Sequence, residues 1–226
     1  MPTITAVTPS ARRARSARDA SAGSGDLVSG RYSIAVDGQA LGDLSLDSIE
    51  RLDIHVGATV SDRVVAEIAS ETQALKTYDR AVGLLATRAR ASRELERLLV
   101  RKGEPPALAK AAVARLAAQG FLDDASFAKQ FARTKLALGL SRRRMQTELA
   151  RRGVDRGTAD AAIDEVVVDD GVDEADACDR VAARKFRSLK DLPSDVQRRR
   201  LYAFLARRGY EADDVRAVVD RLVGRS

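Results

Sequence analysis

The chain of 226 residues carries 39 basic and 33 acidic side chains, a formal charge of +6, with 45% hydrophobic residues, 4% aromatics and no tryptophan. That composition supports an apolar core built mainly from Ala, Leu and Val, and Ala, Leu and Arg all favour helix. It excludes a disulfide framework, because Cys178 is the one cysteine, and no stretch approaches the roughly 18 apolar residues of a membrane helix, so a cytoplasmic protein without a membrane partner is expected.

Residues 1–28 place Arg12, Arg13, Arg15 and Arg18 among Ser and Ala, without the apolar run of a signal peptide, and read as a disordered basic tail. Residues 29–73 read as a small separate module. Tyr32, Ile34 and Val36 alternate, Asp37-Gly38 is a hairpin turn signal, and Leu41, Leu44 and Leu46 follow. A short helix is expected near Ser61–Ser70. His55, the single histidine, has no metal-ligand company and suggests neither a metal site nor a general base.

From residue 74 onward the sequence repeats three times. The segments Leu98–Gly103, Glu148–Gly153 and Phe204–Gly209 each end an apolar stripe on two basic residues and a glycine. Counted from that glycine, Leu99, Leu149 and Leu205 stand four residues before, and Leu95, Met145 and Leu201 eight before. Ala109, Ala159 and Val215 stand six after; Val113, Ile163 and Val219 ten after; and Leu116, Val166 and Leu222 thirteen after. These offsets define two helical stripes meeting at a corner. Glycine suits the left-handed residue that ends a helix, and the preceding basic pair complements the helix C-terminus. A further helix precedes each pair, marked by Ala81, Phe131 and Val181, the third unit carrying six extra residues around Leu189–Pro193. Ser92, Ser141 and Ser194 are the N-cap candidates. The expected fold is all-α: three tandem three-helix, helix-turn-helix-like repeats at 74–122, 123–170 and 171–226. A unit of this size buries too little surface to stand comfortably alone, so the repeats stack into an elongated array.

Within this frame Gly120–Asp124 reads as a corner between units: Gly120 ends a helix, Phe121 and Leu122 anchor the inter-unit core, and Asp123 or Asp124 caps the next helix. Phe127, Phe131, Phe186, Tyr202, Phe204 and Tyr210 fall mainly at core spacing, which favours buried anchors over base-stacking platforms, and Cys178 reads as a small core residue.

Charge is segregated. Residues 81–157 hold 17 basic and 7 acidic side chains, residues 158–179 hold nine acids and no base, and residues 180–226 hold 13 basic and 6 acidic. Arg142, Arg143 and Arg144 open a helix, where positive charge opposes the helix dipole. Arg88, Arg90 and Arg93 flank a second helix entry, and Arg198, Arg199 and Arg200 form a third run. Two readings stand side by side: contacts to an anionic partner, and solvated helix faces. Arg101, Lys102, Arg151, Arg152, Arg207 and Arg208 are explained by helix C-terminal charge compensation.

The run Arg88–Leu95, the stretch Leu99–Gly103 and the signature Gly120-Phe121-Leu122-Asp123-Asp124-Ala125-Ser126-Phe127-Ala128 resemble the RecX family. The likeness continues through Gly139 and Arg142–Arg144 to Arg152-Gly153 and covers residues 74–224, and residues 31–73 are similar to the small N-terminal module of some members. The resemblance implies three tandem three-helix repeats in an extended, curved shape. It also implies docking of a monomer along the RecA filament, protein plus single-stranded DNA, with inhibition of strand exchange, ATP hydrolysis and co-protease activity. DNA repair, homologous recombination and the SOS response are the processes so implied. The competing reading is a direct helix-turn-helix DNA-binding protein; weak non-specific nucleic-acid binding is compatible with both. There is no Walker A loop, GxGxxG after a strand, metal-ligand cluster or Ser/His/Asp set, so neither catalysis nor a cofactor is expected.

Overall fold

The computed structural model describes residues 1–10, 30–171 and 173–224. It contains three strands, β1 (Ile4–Pro9), β2 (Arg31–Val36) and β3 (Gln39–Ser45), followed by α1 (Leu46–Arg51) and α2 (Asp62–Thr87). Three-helix grouping then continues through α3 (Ser92–Arg101), α4 (Pro106–Ala118), α5 (Asp124–Ala137), α6 (Arg142–Arg152) and α7 (Arg156–Asp169). The chain closes with α8 (Glu174–Arg187), α9 (Ser194–Arg208) and α10 (Ala212–Val223). The triplets α2–α4, α5–α7 and α8–α10 are the three repeats. Two compact units are formed, Met1–Leu84 with Leu99–Ala112, and Leu85–Leu98 with Val113–Ser226.

In the first unit the expected hairpin is present, and Asp37 and Gly38 both have positive φ (48° and 78°), as a tight hairpin turn with the twist of its strands requires. The sheet order is β1-β2-β3, antiparallel throughout. Strand β1 corrects the reading of residues 1–28 as a disordered tail, because Ile4 is fully buried and pairs with Val36; residues 11–28 of that tail lie outside the described residues. Leu46 corrects the strand reading, since it opens α1, where the Ser45 side chain accepts the Ser48 N–H at 3.2 Å. The expected short helix near Ser61–Ser70 and the first helix of the repeat are one continuous 26-residue helix. Nothing between Asp62 and Ala81 ends a helix: neither glycine nor proline interrupts the run. Its residues Ile68, Thr72 and Leu75 are buried, and the Thr72 hydroxyl donates to the Asp43 carbonyl at 3.1 Å. Farther along α2, Thr77 and Arg80 hold Glu104, which is only 5% exposed.

The described residues of the second unit include two apolar cores built from its second and third repeats. One gathers Ala128, Ala132, Met145, Leu149, Ile163 and Val166 together with Ala91, from the residue before α3; the other gathers Ala182, Phe186, Leu201, Leu205, Val215 and Val219. Leu149, Leu201 and Leu205 are fully buried, each contributing about 1.5–3 kcal/mol by removal from water. Of the residues counted thirteen after the corner, Leu116 and Val166 are buried, whereas in α10 Val223 takes the innermost place and Leu222 is half-buried. Phe121, expected as an inter-unit anchor, is 48% exposed and Tyr202 lies at the surface, while Leu122, Phe186 and Tyr210 are buried.

Two devices join successive repeats. The first is a pair of acids. Asp123 caps α5 by accepting from the Ala125 and Ser126 N–H groups (2.9 and 3.0 Å), and Asp124 reaches the previous repeat, accepting from the Ser92 N–H at 2.7 Å and its hydroxyl at 3.1 Å. Asp173 and Glu174 reproduce this arrangement: Asp173 caps α8, and Glu174 accepts from the Arg142 N–H at 3.0 Å. Ser92 is therefore a helical residue capped from outside, Ser141 is a true N-cap, and Ser194 lies inside α9 behind Pro193. The three hydrogen bonds received by Asp123 hold its carboxyl below the usual range, those from Ser126 foremost.

The second device is the corner glycine. Gly153 and Gly209 have φ of 89° and 91°; a Cβ at Gly153 would lie 2.5 Å from Arg93 Cβ, and one at Gly209 would lie 2.6 Å from both Arg144 Cβ and Ser141 Oγ. Gly120 is also left-handed but has no atom within 4 Å of a Cβ position among the described residues. Gly120→Ala is expected to cost about 1–2 kcal/mol of backbone strain, whereas Gly153→Ala adds overpacking of about 1–3 kcal/mol. Urea unfolding of the two variants should place the Gly153→Ala midpoint well below that of Gly120→Ala; equal midpoints would mean that the corner does not bear the repeat contact.

Candidate partner-binding surface

The middle helix of each repeat carries basic residues within its first two turns, and the structure gives each position a different environment. Eleven residues before the corner glycine, Arg142 pairs with Asp164 and Arg198 with Asp220, the same tie between the second and third helices of their repeats. Asp164 holds the Arg142 guanidinium even more firmly protonated, and Arg142 in turn draws the Asp164 carboxyl below its ordinary value through their hydrogen bond. Ten residues before the glycine stand Arg93, Arg143 and Arg199. Arg93 lays its stem on Gly153 and remains exposed, with no hydrogen bond or ion pair among the described residues. Arg143 meets Glu211 and the Gly209 carbonyl, both at 3.3 Å, and stays 62% exposed. Arg199 is exposed and unpaired among the described residues. Nine before, Arg144 pairs with Glu148 at 3.0 Å, whereas Arg200 is exposed and without such a partner among the described residues.

Arg88 and Arg90, in the loop before α3, both turn to Glu94, which also accepts from Arg152 Nη1 at 3.2 Å. The nine arginines singled out in the sequence thus divide. Arg88, Arg90, Arg142, Arg144 and Arg198 tie elements of the fold together, Arg143 does so while facing solvent, and Arg93, Arg199 and Arg200 present charge unpaired among the described residues. The acidic block 158–179 is likewise largely paired within the chain, at its surface: Asp164, Glu165, Asp169 and Asp179 pair with Arg142, Lys129, Arg133 and Arg221, and Asp173 and Glu174 cap helix ends.

A second basic cluster escaped the sequence reading. Arg180, Arg184, Lys185 and Arg208 line one cavity of the second unit. Arg208 was assigned to helix C-terminal compensation, and the signal that separates it from Arg152 is the chemistry opposite each in the repeat alignment. Among the described residues no group of His, Cys, Asp and Glu is arranged to hold a metal, and no helix is long and apolar enough to cross a membrane. His55 is exposed. Cys178 is 1% exposed, and burial, followed by the nearby carboxylates of Asp179, Asp214 and Glu174, pushes its thiol up to about 11.

Fold and surface together define a class: a tandem three-helix repeat protein with arginines recurring on its middle helices. Family models describing the first, second and third three-helix domains of RecX match in chain order, over residues 78–116, 123–163 and 173–219. Regulatory protein RecX of Xanthomonas campestris pv. campestris (strain B100) is 36% identical over 138 residues, covering 61% of this chain and 82% of that protein. Regulatory protein RecX of Chlorobium phaeobacteroides (strain BS1) is 30% identical over 153 residues, covering 68% and 97%. A crystal structure of regulatory protein RecX shares the fold with a TM-score of 0.72 at 18% identity, over 97% of this chain and all of that one. A RecX structure from Lactobacillus salivarius gives 0.53 at 16% identity, over 66% and 96%. The chain belongs to the RecX family.

Glu94→Ala, which removes the acceptor shared by Arg88, Arg90 and Arg152, is expected to destabilise the protein by about 1–3 kcal/mol, whereas Arg199→Ala and Arg200→Ala should each stay within about 0.5 kcal/mol of wild type. Chemical denaturation checks the contrast, and equal losses would erase the division between structural and solvent-facing arginines. Cys178 is expected to resist a thiol-specific reagent at pH 8 until denaturant is added, because its nucleophilic thiolate is nearly absent; rapid native-state labelling would contradict the burial.

Proposed function

We propose that this protein binds the RecA nucleoprotein filament and restrains it, without catalysing a reaction. The observation that carries the reading is the recurrence of a solvent-facing arginine at one position of every repeat, Arg93, Arg143 and Arg199, reinforced by Arg200. A partner built of repeating subunits meets a binder whose contacts also repeat, so several modest charge contacts add across the chain. Family membership supports the same reading, since the relatives are named regulatory proteins. Action as a monomer in the cytoplasm belongs to this proposal, as do roles in DNA repair, recombination and the SOS response. Acidic protein surface is the primary contact. Nucleic acid contributes weakly, in a manner that falls steeply with salt.

Direct reading of duplex DNA by the helix after the second or third corner is disfavoured. That helix carries Asp160, Asp164, Glu165 and Asp169 in α7, and Asp213, Asp214 and Asp220 in α10, where a major-groove helix needs donors and positive charge; α4, after the first corner, carries Lys110 and Arg115 and no acid.

Titration into RecA assembled on single-stranded DNA, following ATP hydrolysis, is the test. Wild type is expected to inhibit at substoichiometric amounts. Changing Arg93, Arg199 and Arg200 together to Ala is expected to raise the half-inhibiting concentration roughly tenfold, since exposed charge pairs contribute about 0.2–1 kcal/mol each. Unslowed hydrolysis at saturating wild type would overturn the proposal.

A further inference from the structure

The second and third repeats place the same two cations around an aromatic ring but surround them differently. In repeat 2, Lys135 and Arg152 each lie 5.3 Å from the centroid of Phe131. Both are neutralised: Lys135 by Glu148 at 3.7 Å, and Arg152 by Glu94 of the preceding repeat at 3.2 Å. Counted from the corner glycine, with the six-residue insertion set aside, their counterparts in repeat 3 are Lys185 and Arg208. Both carboxylates are missing there. Phe204 stands where repeat 2 has Glu148, and Arg144 stands where repeat 1 has Glu94.

The consequence is an unneutralised basic pocket. Lys185 and Arg208 lie against the Phe204 ring, 5.7 and 4.1 Å from its centroid, and neither forms an ion pair among the described residues. Arg208 Nε is buried and has no hydrogen-bond acceptor among the described residues. The two side chains line a cavity of about 420 Å³, shared with Arg180 and Arg184 and walled on its apolar side by Leu138, Val181 and Phe204. Asp170 is its single carboxylate. Four cations drawn together over an apolar wall repel one another, and a bound anion relieves that repulsion.

We propose that this pocket between the second and third repeats binds a nucleotide phosphate, with the sugar or base against the apolar wall. Four cationic donors spread around one cavity suit a phosphate, which carries more negative charge than a carboxylate and offers more acceptor oxygens over a wider range of directions. The volume accommodates a nucleotide-sized group, and the apolar wall gives the organic portion a place that inorganic phosphate leaves empty. Free nucleotide and the phosphates of a single strand share this chemistry. The assignment goes beyond filament binding and does not depend on it.

The test uses the full chain without RecA, at low salt, with adenosine monophosphate followed by calorimetry and a fluorescein-labelled short oligothymidylate followed by anisotropy. Binding of either probe to wild type is expected: the mononucleotide alone identifies free nucleotide as the source, and the oligonucleotide alone identifies strand phosphate. Phe204→Glu restores the carboxylate that repeat 2 carries at this place and is expected to weaken binding at least about tenfold. Arg208→Gln should do so by about tenfold, the worth of one charge-assisted hydrogen bond. Lys185→Gln, at a side chain half in solvent, supplies the same readout if circular dichroism shows that Phe204→Glu has not folded. Arg199→Ala with Arg200→Ala should leave binding unchanged, separating this pocket from the filament-facing arginines. Failure of both probes to bind, equal affinity for polyglutamate, or indifference to the pocket substitutions in folded protein would overturn the proposal.

Discussion

The architecture rests on a hydrogen bond that a single repeat cannot make for itself. The first N–H groups of a helix have no intrahelical acceptor, and leaving one unsatisfied at a packed interface is costly. In α3 and α6 an acceptor for such a group comes from the next repeat, through Asp124 to Ser92 and Glu174 to Arg142. Each of these acids follows an aspartate that caps its own helix, so an acidic pair fixes both the start of one repeat and the seam to its neighbour. The corner glycines complete that seam by letting the backbone of α6 or α9 approach the helix start of the preceding repeat. Assembly therefore proceeds from neighbour to neighbour, as expected of repeats too small to bury a sufficient core alone.

The third repeat departs from this pattern at the start of its middle helix. The residue before α9 is Pro193, and no side chain caps this helix. The insertion around Leu189–Pro193 folds back instead: Leu189 is buried, and the Gln197 side-chain amide donates to the carbonyls of Lys190 and Leu192 at 3.1 and 2.8 Å. The helix face that carries Arg199 and Arg200 lies in solvent.

These features were unequally legible. The corners and apolar stripes could be read because their causes are local: a left-handed residue selects glycine, and a buried helical face selects apolar residues at fixed spacing. Strand β1 was missed because its reason for existing lies about thirty residues away in β2; Ile4 is buried only once paired with Val36. The continuity of α2 was missed because the module and the repeat were treated as separate, although no residue between them breaks a helix. Arg142 was read as an unfavourable charge at a helix start and Arg198 as part of a basic run, but the compensation of both comes from Asp164 and Asp220, on a later helix of the same repeat. Tertiary pairing of this kind leaves no local mark. It shows only when repeats are compared position by position.

That comparison also separates what the fold needs from what it leaves over. The seam between repeats 1 and 2 is closed by carboxylates, with Glu94 holding three arginines. At the next seam Arg144 and Phe204 occupy the corresponding places, and Lys185 and Arg208 keep their charge without opposing acid. Helix packing is preserved across this exchange because Phe204 supplies apolar surface where the carboxylate stood, and the cations stack on its ring. Cation–aromatic contact neutralises no charge, however, so the second seam retains an electrostatic demand that the first has met internally. Arg93 shows the same separation within one side chain, its stem serving the seam at Gly153 while its guanidinium remains in solvent. Basic residues in this protein therefore acquire their roles from the acids opposite them, and the places where an acid has been replaced are where external anions find unmatched charge.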